Sequence, residues 1–280
     1  MIRATVDTVH LREALASVVP HCGKGDAFLN GIRCTVTDSQ LILAATNRYT
    51  AAVARADVLE VEGLSGSLVD DSFQLPASAA REVLALFKVP REPAQTPVVQ
   101  IDIAPTGKLH TSAGPEDFDA IRKGIESSSA PRWDGEKITT EPETPAEALK
   151  DEEPQSPATV TITDMTGLWP GKRYEVPADP HSPVLARIPV LVAGSLADRQ
   201  VMPGVMSLGG PLLKLFAAAT SAYNERMVLQ ATGSKTTLMC TVGPQFVGLL
   251  MPMEIEPDSD DAVQLKAWQS DWDDILVGLS

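Results

Sequence analysis

The chain has 280 residues, which at roughly 150 residues per domain leaves room for about two domains. Apolar residues make up 44% of the chain but aromatic residues only 5%, so we expect a core built mainly from Ala, Val and Leu. No apolar run approaches the ~18 residues that a membrane span needs, so we expect no membrane partner. The cysteines, Cys22, Cys34 and Cys240, are odd in number and far apart, which excludes a disulfide framework and favours a reducing, cytoplasmic location.

The net charge of −14 is unevenly distributed along the chain. Segment 115–157 carries 12 acidic and 5 basic side chains, and segment 254–280 carries 8 and 1. The first segment is also rich in Pro, Ser and Thr, a composition that buries too little apolar surface to offset its ordering entropy. We therefore predict four ranges: a first domain over 1–114, an acidic flexible insertion or linker over 115–157, a second domain over 158–256 and an acidic, aromatic tail over 257–280.

The first block shows a clear order of elements. Apolar residues recur at near-helical spacing from Val9 to Val19 and predict a helix that stops at Pro20. Alternating residues over 32–36, a polar turn and the run 41–45 predict a hairpin. Pro76 suits the first turn of a second helix, which follows a strand at 73–75 and ends before Pro90. Further strands are predicted over 53–58, 98–103 and 108–112.

The second block repeats the latter half of this order. Gly209, Gly210 and Pro211 open a helix, and apolar strands follow over 227–230, 237–242 and 246–253. Strands are also predicted at 160–163 and 173–176. The prolines at 180, 183, 189 and 203 predict no regular element between these strands and the helix that begins near Gly209. The fold class expected is α+β, with helices packed on antiparallel sheets in two modules, the second of them abbreviated.

A search for catalytic groups finds no convincing set. The histidines lack a second ligand at metal-binding spacing, and Gly233 to Thr236 lacks the upstream glycine of a phosphate-binding loop. The acidic stretches of the tail lack the glycine of a calcium loop. We therefore expect no enzyme activity, no metal and no cofactor. A hydrolase built from Asp70, Asp71 and His110 is the alternative, and no spacing pattern favours it.

Short motifs in the expected order resemble one known family. They are 28–32 (FLNGI), 43–53 (LAATNRYTAAV), 73–77 (FQLPA) and 246–253 (FVGLLMPM). Together they resemble the middle and last domains of the bacterial sliding clamp, the DNA polymerase III beta subunit, whose chain ends on a Met-Pro-Met or Met-Pro-Val strand. Asn47 and Arg48 depart from the family pattern, which usually has Asp and often Gly at these positions.

The resemblance implies a DNA-clamp-like fold and a non-enzymatic processivity factor. Such a ring encircles duplex DNA without reading its sequence, tethers DNA polymerase, and is placed on DNA by a clamp loader. If six domains close the ring, a chain of two domains needs three copies joined head to tail, so we expect a homotrimer. The alternative is a monomeric clamp-like adaptor that binds replication-protein peptides without encircling DNA.

Two sets of residues follow from the resemblance. Basic side chains on the helices would meet DNA phosphates, and an ordinary solvated face is the alternative reading. An apolar cleft between the two domains would receive partner peptides, although Met251 and Met253 could instead be packed in the core. The DNA-facing candidates are Arg12, Arg81, Lys88, Arg91 and Lys214, and the peptide-cleft candidates are Leu29, Thr46, Arg48, Tyr49, Thr50, Leu249, Met251, Pro252 and Met253.

The C-terminal tail combines acidic residues with apolar ones that include Trp268 and Trp272. This pattern fits an amphipathic helix that docks on a partner or on the chain's own cleft. It fits a disordered acidic tail equally well.

Overall fold

The structure, a computed structural model, describes residues 1–25, 28–67, 71–89, 96–104, 159–167, 170–178, 182–197, 199–200, 208–232, 237–251, 263–264 and 266–267. All of these residues lie in one compact unit. The strands are β1 (Ile2–Asp7), β2 (Gly31–Val36), β3 (Gln40–Thr46), β4 (Thr50–Glu62), β5 (Ser72–Pro76), β6 (Val98–Ala104), β7 (Thr159–Asp164), β8 (Arg173–Pro177), β9 (Arg199–Gln200), β10 (Met227–Thr232), β11 (Leu238–Val242) and β12 (Phe246–Leu250). The helices are α1 (Thr8–Val18), α2 (Ala77–Leu86), α3 (Pro183–Ala197) and α4 (Gly210–Tyr223).

Helix α1 begins and ends as its sequence predicts. Asp7 caps it, because its carboxylate accepts hydrogen bonds from the backbone N–H groups of Val9 at 2.7 Å and His10 at 3.2 Å. A single 3₁₀ turn, Val19–His21, follows the helix and contains Pro20. The side chains that α1 buries against the sheet are those of Leu11, Ala14, Leu15 and Val18.

The first eight strands form two four-stranded antiparallel sheets of the same design. One has the order β5-β2-β3-β4, and the other has the order β1-β6-β7-β8. In the first sheet, β2, β3 and β4 follow α1, and the fourth strand, β5, precedes α2. In the second sheet, β6, β7 and β8 follow α2, and the fourth strand, β1, precedes α1. The chain therefore contains two copies of one unit, which consists of a strand, a helix and three further strands. The first strand of each copy lies in the sheet of the other copy, so the two copies exchange their first strands. The end of β4 also pairs with β1 and joins the two sheets.

A third unit of this kind follows in β9, α4 and β10 to β12. Its last strand, β12, pairs antiparallel with the start of β4, with Phe246 opposite Ala54 and Leu250 opposite Thr50. Helix α4 packs beside α1, with Phe216 and Ala219 buried. Three units make one and a half of the domains that the first two build together.

The domain boundaries predicted at residues 114 and 158 remain a prediction. Strand β6 precedes the acidic segment and β7 follows it, and these two strands pair directly. The strand expected at 108–112 lies outside the described residues. The other strands that the sequence predicts are present, with small differences at their ends. Among the described residues, no helix is long and apolar enough to cross a membrane.

Helix α3 lies where the prolines predict no regular element, so that prediction is wrong. Pro183 occupies the first helical position, where a missing N–H costs nothing, and Pro189 removes only the bond to the carbonyl of Leu185. Ser182 holds the start of the helix, because its hydroxyl accepts from the N–H of Leu185 at 3.4 Å. The N–H of Ser182 in turn donates to the buried side-chain oxygen of Gln74 at 3.0 Å.

Candidate functional site

The tight turn between β3 and β4 contains four of the residues predicted for the peptide cleft. The Asn47 side-chain oxygen accepts from the backbone N–H groups of Tyr49 and Thr50, at 3.1 and 2.8 Å, and from the Thr50 hydroxyl at 3.0 Å. The Thr46 hydroxyl donates to the carbonyl of Thr50 at 2.7 Å. Arg48 has a φ of 77°, a left-handed conformation that glycine adopts more easily. These bonds fix the turn from within.

The end of β12 lies against this turn. The N–H of Met251 donates to the carbonyl of Tyr49 at 3.0 Å, so the structure brings these two predicted cleft residues together. The Met251 side chain is exposed, whereas Leu249 is buried. Leu29 is buried too, and its carbonyl accepts from the N–H of Gly23. Pro252 and Met253 lie outside the described residues.

His21 is buried beneath the turn, and the sequence analysis assigned it no role. His21 Nδ1 and the Thr50 hydroxyl are hydrogen-bonded at 2.9 Å, and the same hydroxyl lies 3.0 Å from the Asn47 side-chain oxygen. His21 Nε2 has no hydrogen-bond partner within the described part of the chain. The His21 ring packs edge-on to Phe216 of α4, with 4.7 Å between ring centroids. Burial lowers the pKa of His21 to about 3, so the ring is neutral at pH 7.

Helix α3 covers an apolar face beside the turn. We define the junction face as the side chains of Ala44, Ala51, Val53, Met239, Val247 and Leu249, which lie on β3, β4, β11 and β12. Ile188 and Val192 of α3 pack into it, and both are buried. The sequence analysis missed these two residues, although 185, 188 and 192 carry apolar side chains at helical spacing. The predicted cleft residue Leu249 is therefore in contact with the chain's own helix.

The predicted DNA-facing cations are in different environments. Arg81 and Lys88, in and just after α2, and Lys214 on α4 are exposed, as expected for a solvent-facing surface. Arg12 is half-buried instead of exposed, which corrects the expectation for its position. Its guanidinium donates to the carbonyls of Leu84 and Phe87 at the end of α2, and burial lowers its pKa. Arg91 lies outside the described residues.

The described residues offer little for catalysis. They contain no group of three or more His, Cys, Asp and Glu side chains that could hold a metal ion. Burial raises the pKa of Cys22 and of Cys240 to about 12, so neither thiol forms a nucleophilic thiolate at pH 7. The Asp71 carboxylate accepts hydrogen bonds from the backbone N–H groups of Ser65 and Gly66 and so stabilises the loop before it. Asp70 and His110 lie outside the described residues.

Comparison with solved structures finds DNA polymerase III beta subunits. For the beta subunit from Thermotoga maritima, the TM-score is 0.50 at 10% identity, and the match covers 92% of this chain and 66% of that chain. For the DNA polymerase sliding clamp from Bacillus subtilis, the TM-score is 0.43 at 15% identity, with coverages of 91% and 64%. The chain thus spans just under two thirds of the length of these two proteins. Neither a protein-family model nor a curated protein matches it.

The similarity to the Thermotoga maritima structure confirms the expected resemblance and the expected fold class at the level of the fold. In this chain, helices pack on antiparallel sheets, and one sheet continues from unit to unit through β4 and β12. The chain therefore has a DNA-clamp-like fold, similar to that of the DNA polymerase III beta subunit.

Proposed function

We propose that the chain is a sliding-clamp-like processivity factor, a non-enzymatic protein that encircles duplex DNA and tethers replication proteins to it. The observation that carries this proposal is the clamp-like fold of the described residues. The exposed cations on its helices agree with it. DNA polymerase and a clamp loader are the partners that such a function requires.

The proposed contact with DNA is electrostatic. Arg81, Lys88 and Lys214 are exposed cations on long, flexible side chains, which suit phosphates and carry no base specificity. Each phosphate contact contributes about −0.9 to the slope of log affinity against log salt concentration. A protein held by a few such contacts can slide, because every base pair presents the same charge.

The proposed contact with replication proteins lies at the junction of β4 and β12. The turn at 46–50 and Met251 would form its polar and exposed parts, and Leu249 its apolar part. Clamp users would insert an apolar peptide there. Leu29, Pro252 and Met253 belong to the same proposed cleft.

The test is topological retention. The protein is incubated with nicked circular plasmid, with and without a bacterial clamp loader and ATP, and then separated by gel filtration in 0.5 M salt. We expect protein to remain with the circle and to leave when a restriction enzyme linearises it. Equal retention on linear and circular DNA, or no retention with the loader present, would contradict the proposal.

Charge variants connect retention to the proposed surface. Arg81→Glu and Lys214→Glu should weaken low-salt binding to duplex DNA and reduce the salt slope by about 1 each. Arg173→Glu is the control, because Arg173 is also exposed but lies on strand β8 rather than on a helix. An equal loss in all three variants would show that only net charge matters.

A monomeric adaptor is the second candidate, and the one and a half domains of the described residues favour it. One and a half domains leave an incomplete ring segment unless copies assemble. An adaptor would bind replication-protein peptides as a single chain and would show no topological retention. The plasmid test therefore separates the two candidates.

A further inference from the structure

The side of α3 that faces away from the junction face is apolar and exposed. Val184, Val190 and Leu191 are 46%, 71% and 50% exposed, and Ala186 and Ala193 are exposed as well. A surface helix normally turns a polar face to water. Because the opposite side of α3 is buried on the sheet, its outward side is a fixed apolar surface.

Helices α2 and α4 turn polar side chains to water instead. The exposed side chains of α2 include Arg81 and Glu82, and those of α4 include Lys214 and Ser221. On α3, every exposed side chain that the structure describes is apolar. The outward side of α3 therefore suits a further apolar element.

The C-terminal tail carries a matching apolar stripe in its sequence. Its residues follow one another at steps of three, four, three and four, which is the spacing of a coiled-coil seam. They lie outside the described residues and are Leu265, Trp268, Trp272, Ile275 and Leu279. Between and before them, the structure describes four helical, exposed residues, Val263, Gln264, Lys266 and Ala267. At about 3.6 residues per turn, Val263, Lys266 and Ala267 lie opposite the stripe, on the side that docking would leave in water.

A helix of this length needs a surface to pack on. An isolated helix of about 15 residues is marginal in water, so its stability comes from burying its apolar stripe. A narrow stripe of this spacing packs along one other helix. The exposed side of α3 has the same spacing at Ala186, Val190 and Ala193, and the two alanines leave room for the large tryptophan side chains of the tail.

The tail is long enough to reach this surface. It leaves β12 after Leu250, and α3 packs on Leu249 of the same strand, so the tail begins close to α3. Residues 252–264 can span up to about 40 Å, whereas α3 is about 22 Å long. Helix α3 contains no acidic residue, so the aspartates of the tail meet no like charge on it.

We infer that residues 265–279 dock as a helix on the exposed side of α3 in the same chain. The two apolar sides then shield each other from water, while the aspartates of the tail stay exposed. The chain's own tail is the occupant, rather than the tail of a second copy, because the connection to β12 keeps it at high effective concentration. This surface faces away from the junction face, and the inference does not depend on the proposed function.

The test is hydrogen exchange of the tail amides in the full chain. We expect the amides of 265–279 to exchange about tenfold faster in Leu191→Asp than in the unmodified protein, because a carboxylate on the docking surface releases the stripe. Leu59→Asp is the matched control, since Leu59 is 58% exposed on β4 and Leu191 is 50% exposed on α3. It should leave the exchange of the tail unchanged. Both positions are exposed, so both variants should fold.

Other outcomes contradict the inference. Tail amides that exchange at the rate of an unstructured chain in the unmodified protein would show that the tail does not dock. Protection that neither variant changes would place the tail elsewhere, and equal acceleration in both variants would show that only charge matters. Protection that is lost on about a hundredfold dilution would assign the tail to a second copy. Plasmid retention is measured separately, so a failure of the proposed clamp function leaves these results unchanged.

Discussion

His21 is a buried neutral base at the point where β4, α4 and β12 meet. Its ordinary pKa of 6.5 is lowered to about 3 by burial, so the unfolded chain binds a proton more readily than the folded protein does. The stabilising contribution is present above pH 6.5 and is lost as the pH falls from 6.5 toward 3. The cost is about 1.4 kcal/mol per pH unit within that window.

We expect the unmodified protein to lose about 2 kcal/mol of unfolding free energy between pH 7 and pH 5 that a His21→Gln variant does not lose. Urea denaturation of both proteins at the two pH values measures this difference. The comparison cancels the contributions of the other titrating groups. Parallel losses in the two proteins would mean that His21 is protonated in the folded state.

For single residues, the sequence predicted where a residue lies better than it predicted what its side chain does. The motif at 43–53 located the turn, because asparagine and threonine side chains bond to nearby backbone groups. It did not predict that His21 lies beneath the turn, since 29 residues separate His21 from Thr50 and only the folded sheet brings them together. The hydrogen bonds of Arg12 could not be predicted for the same reason, because their acceptors lie at the end of another helix.

Arg12 connects two elements rather than facing solvent alone. Its guanidinium satisfies backbone carbonyls at the C-terminal end of α2, where four such groups lack partners within the helix. We expect Arg12→Met to lower the unfolding free energy by about 1–3 kcal/mol, because these half-buried carbonyls lose a charged donor. Thermal or urea denaturation provides the measurement.

Arg81→Met is the control for this effect, since Arg81 is exposed on α2. It should change stability by less than about 0.5 kcal/mol and should instead weaken DNA binding. If the Arg12 variant is as stable as the Arg81 variant, the bridging role is wrong and the original prediction of a DNA-facing Arg12 regains support.

Elements with clear periodicity were predictable, and α3 was not. Helices α1, α2 and α4 combine an apolar stripe with a start signal such as Asp7, Pro76 or Gly209 with Pro211. In α3 the prolines suggest interruption, and the apolar residues occupy more than one face. Its position on the junction face decides its structure, and a single sequence does not contain that information.

The described residues contain three repeats of one unit, so the number of copies in an assembly is informative. A six-domain ring needs three chains if each supplies two domains, and four if each supplies the one and a half domains of the described residues. The homotrimer expected from the sequence requires two domains from each chain, so the number of copies tests that expectation. Sedimentation equilibrium or light scattering across a concentration series measures it.

Four copies would mean that only the described units contribute to the ring. A single chain at every concentration would contradict the ring and support the adaptor. The fold class could be predicted from the order of elements. The exchange of first strands between repeats could not, because sequence order does not say which sheet a strand joins.

That exchange of β1 and β5 has a consequence for folding. Neither of the first two repeats can complete its own sheet, since each lacks a border strand until the other has formed. A fragment ending after β4 would leave β1 without β6 and β2 without β5. The two sheets built from β1 to β8 should therefore gain or lose structure together, and a nascent chain stays incomplete until β8 has left the ribosome.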